Sequence, residues 1–286
     1  QVIESGNTHL HIPAGETDTV SLIYQKPEIK PGSEYWLYIS FRLKGKHGLL
    51  PDGHEMAWEQ LKLPFHKEKT KKVTNHGDLP EIEAKESSDA VVFSNPFFRC
   101  KINKQTGKIT SYSYKDKEYL KRPISFYAWR APVLTEQRHI ASEWRNAGLD
   151  KLVHTMESFR INTEGPGKYL VDMSGNVTGA NTDCGFKVNT QLTVQGNGEL
   201  LISQKIKPRG EMPPRLPKVG MQAVLRKEFD HMKWFGRGPI ENYPGRKYAA
   251  PVGIYSKTVQ ELYEPYIVPC DYGNRSDVRW AALTND

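Results

Sequence analysis

This 286-residue sequence lacks several features, and each absence removes a class of protein. No apolar stretch approaches eighteen residues, so nothing reads as a membrane-spanning helix and no membrane partner is expected. Only three cysteines occur, Cys100, Cys184 and Cys270, far apart and odd in number. Neither a disulfide framework nor metal-ligand spacing can be read from them, and buried thiols are the expectation. No P-loop and no G-x-S-x-G elbow is present, which removes the commonest phosphate cradle and the hydrolase nucleophile turn. His54-Glu55 lacks the second histidine that a zinc-protease helix carries four residues on. The chain starts at Gln1-Val2-Ile3-Glu4, with neither an initiating methionine nor a signal-peptide pattern, so it is expected to be a piece of a longer polypeptide.

Charge of one sign is not strongly dominant. The net charge is +7, yet 33 acidic residues are interspersed with 40 basic ones. The one dense run, His66-Lys67-Glu68-Lys69-Thr70-Lys71-Lys72, reads as a solvated linker or strand edge. No nucleic-acid-binding module accompanies it, so nucleic acid is not an expected partner. Hydrophobic residues make up 37%, a lean figure, but 14 Tyr, 10 Phe and 6 Trp supply large apolar surfaces and point to a packed globular chain.

What is present is strand pattern. Thr8–Ile12 and Thr19–Tyr24 alternate, and Ser33–Lys44 places Tyr35, Leu37, Ile39 and Phe41 on one face against Trp36, Tyr38 and Ser40. His54–Leu63 alternates likewise. Short strands with turns between them predict an immunoglobulin-like β-sandwich, followed by a polar stretch over 65–88 read as its last strand or a linker. This gives a first domain over 1–88. From residue 89 a second antiparallel series opens, with strands at "AVVFSN", "FFRCKIN" and "KITSYSYKDKEYL". Further strands follow at Leu152–Asn162, Lys168–Thr178, Gly185–Gln195 and Leu200–Lys207. "GPGK" at 165–168 and "GNGE" at 196–199 read as hairpin turns. One segment breaks the pattern: Glu136–Ala147 has helical spacing at Ile140, Trp144 and Ala147, Thr135 as N-cap, and Gly148 where a helix end favours positive φ. The fold class expected is all-β with one helical excursion. The terminal "DVRWAALTND" alternates as a strand and then reaches a turn signal, as though its hairpin partner were missing.

Chemistry concentrates in "WFGRGPIENYPGRKYAA", Trp234–Ala250, which is too rich in breakers for a plain strand. Gly236, Gly238 and Pro239 allow tight turns, while Glu241, Asn242, Tyr243 and Arg246 present an acceptor, a mixed amide, a flat amphipathic ring and a bidentate donor. That set suits a polyhydroxylated ligand. It equally suits loop architecture, with Glu241 pairing Arg246 and Tyr243 filling a gap. No carboxylate pair of the kind glycoside hydrolysis needs is marked out by its setting.

The stretch Arg215–Trp280, with its W-x-G-x-G-P-x-E-N-Y-P-x-R core and Y-x-P-Y-x-x-P…G-N-R continuation, resembles the C-terminal domain of LacZ-type β-galactosidases of glycoside hydrolase family two. "FYAWRAP" (Phe126–Pro132) and "SEWRNAGLDKL" are similar to the family's F-W-R-A-P element and following helix, and "AWEQLKLP" (Ala57–Pro64) to its preceding immunoglobulin-like domain. The resemblance implies that 89–286 is a β-supersandwich of galactose-mutarotase-like type, C-terminally truncated. It implies a bacterial parent, cytoplasmic or periplasmic, in which both catalytic glutamates lie in a TIM barrel outside this sequence. No catalytic residue is therefore carried over, and substrate contact is assigned to Arg130, Glu241, Asn242, Tyr243 and Arg246. Two departures stand out: Val133-Leu134-Thr135-Glu136 replaces the family's acidic run, and Gly245 replaces an aspartate before Arg246.

The function expected is a non-catalytic part of a β-galactosidase-like hydrolase that helps frame its sugar site. The alternatives are a stand-alone carbohydrate-binding module and a mutarotase-like isomerase, for which His139, His154 and His231 are the ring candidates. No cofactor or metal is expected for this chain, whereas the resemblance implies Mg and Na for the whole enzyme. Expected partners are a β-galactoside-like carbohydrate, the barrel of the same polypeptide and further copies in a homo-oligomer.

Overall fold

The structure, a computed structural model, describes residues 2–69 and 79–285. The chain divides into two compact units, 1–73 and 74–286. In the first, β1 (Trp36–Arg42) and β2 (Glu55–Lys62) form an antiparallel pair in which Leu37 faces Leu61 and Phe41 faces Ala57. The strands expected at Thr8–Ile12 and Thr19–Tyr24 are absent: these residues form no ladder and lie exposed. Alternation fixes which side chains share a face, but a strand also needs a neighbour for its backbone N–H and C=O groups. Among the described residues of this unit only β1 and β2 form a ladder. The part of the basic run and linker from Thr70 to 78 lies outside the described residues.

The second unit is antiparallel throughout. β3 (Glu83–Glu86), β4 (Ala90–Ser94), β5 (Phe98–Asn103), β6 (Ile109–Tyr114), β7 (Lys117–Glu118), β8 (Leu120–Tyr127) and β13 (Gly220–Leu225) form one sheet in the order β13-β8-β6-β5-β4-β3, with β7 on β6. The four long strands β9 (Leu152–Thr163), β10 (Lys168–Gly179), β11 (Gly185–Gln195) and β12 (Leu200–Arg209) form a second sheet, ordered β12-β11-β10-β9. The third sheet is β15-β14-β16, from β14 (His231–Arg237), β15 (Val252–Thr258) and β16 (Trp280–Thr284). The terminal strand is thus paired on one side, Phe235 facing Trp280 and Met232 facing Leu283. The residues at 83–86, read as linker or sandwich strand, belong to the large sheet, where Ala84 faces Phe93.

The first two sheets share one core. Val91, Phe93, Cys100 and Ile102 from one meet Val171, Met173, Leu192 and Val194 from the other. The long expected strand over Lys108–Leu120 is broken by a turn at Lys115-Asp116, both at positive φ, 48° and 61°. Asp tolerates that region because its short side chain bonds locally. "GPGK" and "GNGE" do form the β9–β10 and β11–β12 hairpin turns.

The helical excursion is two short helices, not one. α1 (Leu134–Gln137) and α2 (Ala141–Asn146) are separated by a turn at 138–140. The N-cap is Val133 instead of Thr135, because the Glu136 carboxylate reaches back to the Val133 N–H (2.9 Å). The turn re-aims the chain so that Trp144 enters the core beside Phe126, Leu149 and Phe186, its indole N–H donating to the Arg215 carbonyl (2.8 Å), while Leu134 stays exposed. Gly148 closes α2 at φ +70°, as its position predicts, and a Cβ there would lie 2.7 Å from the Gly179 Cα. Of the thiols, Cys100 and Cys184 are buried as expected, but Cys270 is only half-buried; burial, with the Glu118 charge second, pushes the Cys100 thiol up to about 12. No helix among the described residues is long and apolar enough to cross a membrane.

Gly148→Ala adds both αL strain and a backbone clash, so it lowers unfolding stability by roughly 2–4 kcal/mol. Gly220→Ala, where nothing lies within 4 Å, stays within about 0.5 kcal/mol of the parent. Urea midpoints of the two variants check this contrast.

Candidate functional site

The opening of the breaker-rich stretch is strand: Trp234–Arg237 completes β14, with Trp234 wholly buried against Tyr255. At Gly238-Pro239, a cis peptide bond, the chain leaves the sheet, and a 3-10 turn at Lys247–Ala249 returns it to β15. Between them Glu241 and Asn242 point inward, 4% and 0% exposed. A buried carboxylate and a buried amide need partners for every polar atom. They find them in the segment before β16, about thirty residues on.

The Glu241 carboxylate accepts from the Arg246 guanidinium, the Tyr266 hydroxyl and the Gly273 N–H, the last at 2.7 Å. Burial alone would raise this carboxyl; the Gly273 and Tyr266 hydrogen bonds and Arg246 outweigh it and hold it below the usual range. Asn242 stitches the same two segments. Its Oδ1 accepts the Ser276 N–H (2.8 Å), its Nδ2 donates to the Ile240 carbonyl (3.0 Å), and its backbone exchanges bonds with Asn274 (2.8 and 2.6 Å). Arg246 is exposed at its outer end and lies over the Tyr243 ring, 5.5 Å from the centroid.

Arg130 follows β8 in another part of the chain and reaches the same neighbourhood. Its guanidinium forks onto Glu136 (2.7 and 2.6 Å), while Nε donates to the Pro217 carbonyl (2.8 Å). Hydrogen bonding to Arg130 holds Glu136 below its ordinary value. Tyr243 and Asp271 lie close enough for their charges to act on Arg130, and the Tyr243 hydroxyl approaches the Asp271 carbonyl at 3.5 Å. The structure therefore brings all five expected residues to one region. The polar atoms of Glu241 and Asn242 are engaged in holding loops together, and Arg130 is anchored on Glu136 and Pro217.

Sequence reasoning missed Tyr266, Gly273, Asn274, Ser276 and Asp271. The Y-x-P-Y and G-N-R motifs contained three of these five residues, Tyr266, Gly273 and Asn274, but nothing local marks Tyr266 as the partner of an acid 25 residues earlier. Asp271 differs from the rest. Burial pushes its carboxyl up, Lys218 and Arg130 pull it down, and among the described residues its carboxylate accepts no hydrogen bond. Asp271, Lys218 and the half-exposed Arg246 have capacity left for a ligand, whereas the Tyr243 hydroxyl donates to the Asp271 carbonyl. The histidines lie on three separate elements: His139 exposed in the 138–140 turn, His231 against Asp230 (2.9 Å), and His154 half-buried in β9.

Glu241→Gln removes a charged acceptor from three donors and lowers stability by about 2–4 kcal/mol at pH 7. Because the folded carboxyl is depressed, its contribution is present above the ordinary carboxylate value and is lost as pH falls through the depressed one. The gap between parent and variant in denaturant unfolding therefore narrows on acidification.

Two family models match this chain: one described as β-galactosidase small chain, over residues 94–286, and one described as β-galactosidase, domain 4, over 1–64. The β-galactosidase of Priestia megaterium is 29% identical across 100% of this chain and 27% of its own length. That of Pseudoalteromonas haloplanktis is 26% identical across 99% and 28%, and that of Kluyveromyces lactis 27% identical across 89% and 25%. The chain spans about a quarter of the length of these relatives. With its larger unit matched almost from end to end, the chain belongs to the β-galactosidase small-chain family.

Proposed function

We propose that this chain is a non-catalytic portion of a β-galactosidase-type glycoside hydrolase, and that its larger unit helps frame a sugar site whose proton-transfer groups lie on other polypeptide of the same protein. The observation that carries this reading is the state of the acids around the Trp234–Ala250 loop. Glu241 and Glu136 are each closed in by donors and held ionised, so neither offers a proton or a free lone pair to a glycosidic oxygen. Asp271 keeps an open carboxylate, and one carboxyl is half of a glycosidase pair.

A second observation supports a partner surface beside this loop. Tyr263, Tyr266, Val268 and Tyr272 are exposed and Ile267 is fully so, in a run of chain held at Tyr266 and Gly273 by Glu241 and at Asn274 by Asn242. An exposed apolar group rimmed by polar residues is the composition of an interface. The barrel of the parent enzyme is the partner this reading assigns to it, with the galactoside lying between. Any Mg or Na the whole enzyme uses is assigned to that other polypeptide as well. The isomerase reading is weaker, because its three histidines do not share an element and His231 is already held by Asp230.

The purified chain is expected to show no hydrolysis of nitrophenyl β-galactoside above buffer background, with or without Mg. Turnover that survives repeated purification and disappears in Asp271→Asn would sink the proposal. Polarimetry with α-galactose, expected to show the uncatalysed rate, tests the isomerase reading separately.

A further inference from the structure

A cavity lies between the two large sheets of the second unit, away from the loops just described. Its volume is about 40 Å³, room for roughly three waters and too little for a pyranose. Apolar residues such as Met156, Met173 and Leu192 form part of its wall. The rest is chemically one-sided. Lys108 reaches it from the start of the β6 segment and His154 from β9 on the opposite sheet, together with Ser125, Thr190 and Gln204; among the described residues no carboxylate lines it.

Among the described residues neither the Lys108 ammonium nor the His154 ring makes a hydrogen bond or ion pair. Gln204 Nε2 donates to Thr190 Oγ1 (2.9 Å), which leaves the Thr190 hydroxyl proton available as a donor. The cavity wall thus carries Lys108, His154, Ser125 and Thr190 and, among the described residues, no negative group. Lys108 is half-buried; withdrawing part of a cation from water without a counter-charge is costly, and a small anion among these donors offsets that cost. We propose that this cavity is a binding site for a small monovalent anion of chloride size, held by Lys108, His154, Ser125 and Thr190.

The electrostatics agree. Burial lowers the Lys108 ammonium, and burial followed by the Lys108 charge lowers His154 to about 4; no acid among the described residues acts on either. Among the described residues Lys108 and His154 are the only titratable groups on the cavity wall. A bound anion favours the protonated form of both, so affinity rises as pH falls toward the His154 value.

Thermal unfolding in sodium chloride, against sodium gluconate at equal ionic strength, tests the site, gluconate being too large to enter. At ten times the dissociation constant chloride is expected to raise Tm by about 4 °C. The increment is larger at pH 5 than at pH 7.5, is lost in Lys108→Met and is reduced in His154→Gln. Should a variant not fold, the parent protein decides: the NMR titration midpoint of His154 moves upward from about 4 in chloride and not in gluconate. Equal Tm values in the two salts with an unmoved midpoint, or an undiminished increment in folded Lys108→Met, overturns the proposal and leaves the cavity to water.

Discussion

Val91, Phe93, Cys100 and Ile102 on one sheet meet Val171, Met173, Leu192 and Val194 on the other, and this face-to-face burial fixes the larger unit. At about 25 cal/mol per Å² of apolar surface, each of these side chains contributes on the order of 1.5–3 kcal/mol relative to exposure. The packing also restricts what can lie beyond it. One end is closed by Trp144 and Leu149, which is why a short helical excursion interrupts the run of strands. Elsewhere the sheets part enough to leave the Lys108–His154 cavity.

Against this rigid sandwich the Trp234–Ala250 loop is held by polar bonds, not by apolar packing. Glu241 and Asn242 are the buried polar residues of the described chain, and each is saturated by groups of the segment before β16. Such saturated knots favour one loop conformation because any alternative leaves a buried acceptor or donor without a partner. An acid used in this way serves shape. The groups the knot leaves with spare capacity are Asp271, Lys218 and the outer part of Arg246.

Much of the second unit was legible in the sequence. The four strands β9 to β12 fall within a residue or two of their alternation, and the two Gly-containing turns between their hairpins sit where the chemistry requires. Gly148 marked a helix end for the right reason. The misreadings have one cause. Thr8–Ile12 and Thr19–Tyr24 alternate like strands, yet alternation encodes a face and not a neighbour; Thr135 looks like an N-cap, yet Glu136 had a stronger pair of partners in Arg130 and the Val133 N–H. Local signals lose where a tertiary contact competes for the same groups.

The sequence by itself determined the all-β class, the strand faces, the turns and, through the W-x-G-x-G-P-x-E-N-Y-P-x-R core, the family, because these rest on periodicity and on residue types at short spacing. Only the tertiary structure decided which polar groups meet. Glu241 finds Tyr266 and Gly273 at separations of 25 and 32 residues, and Lys108 finds His154 across two sheets. Those encounters follow from register and from how the sheets pack, and a spacing of that length carries no trace of either.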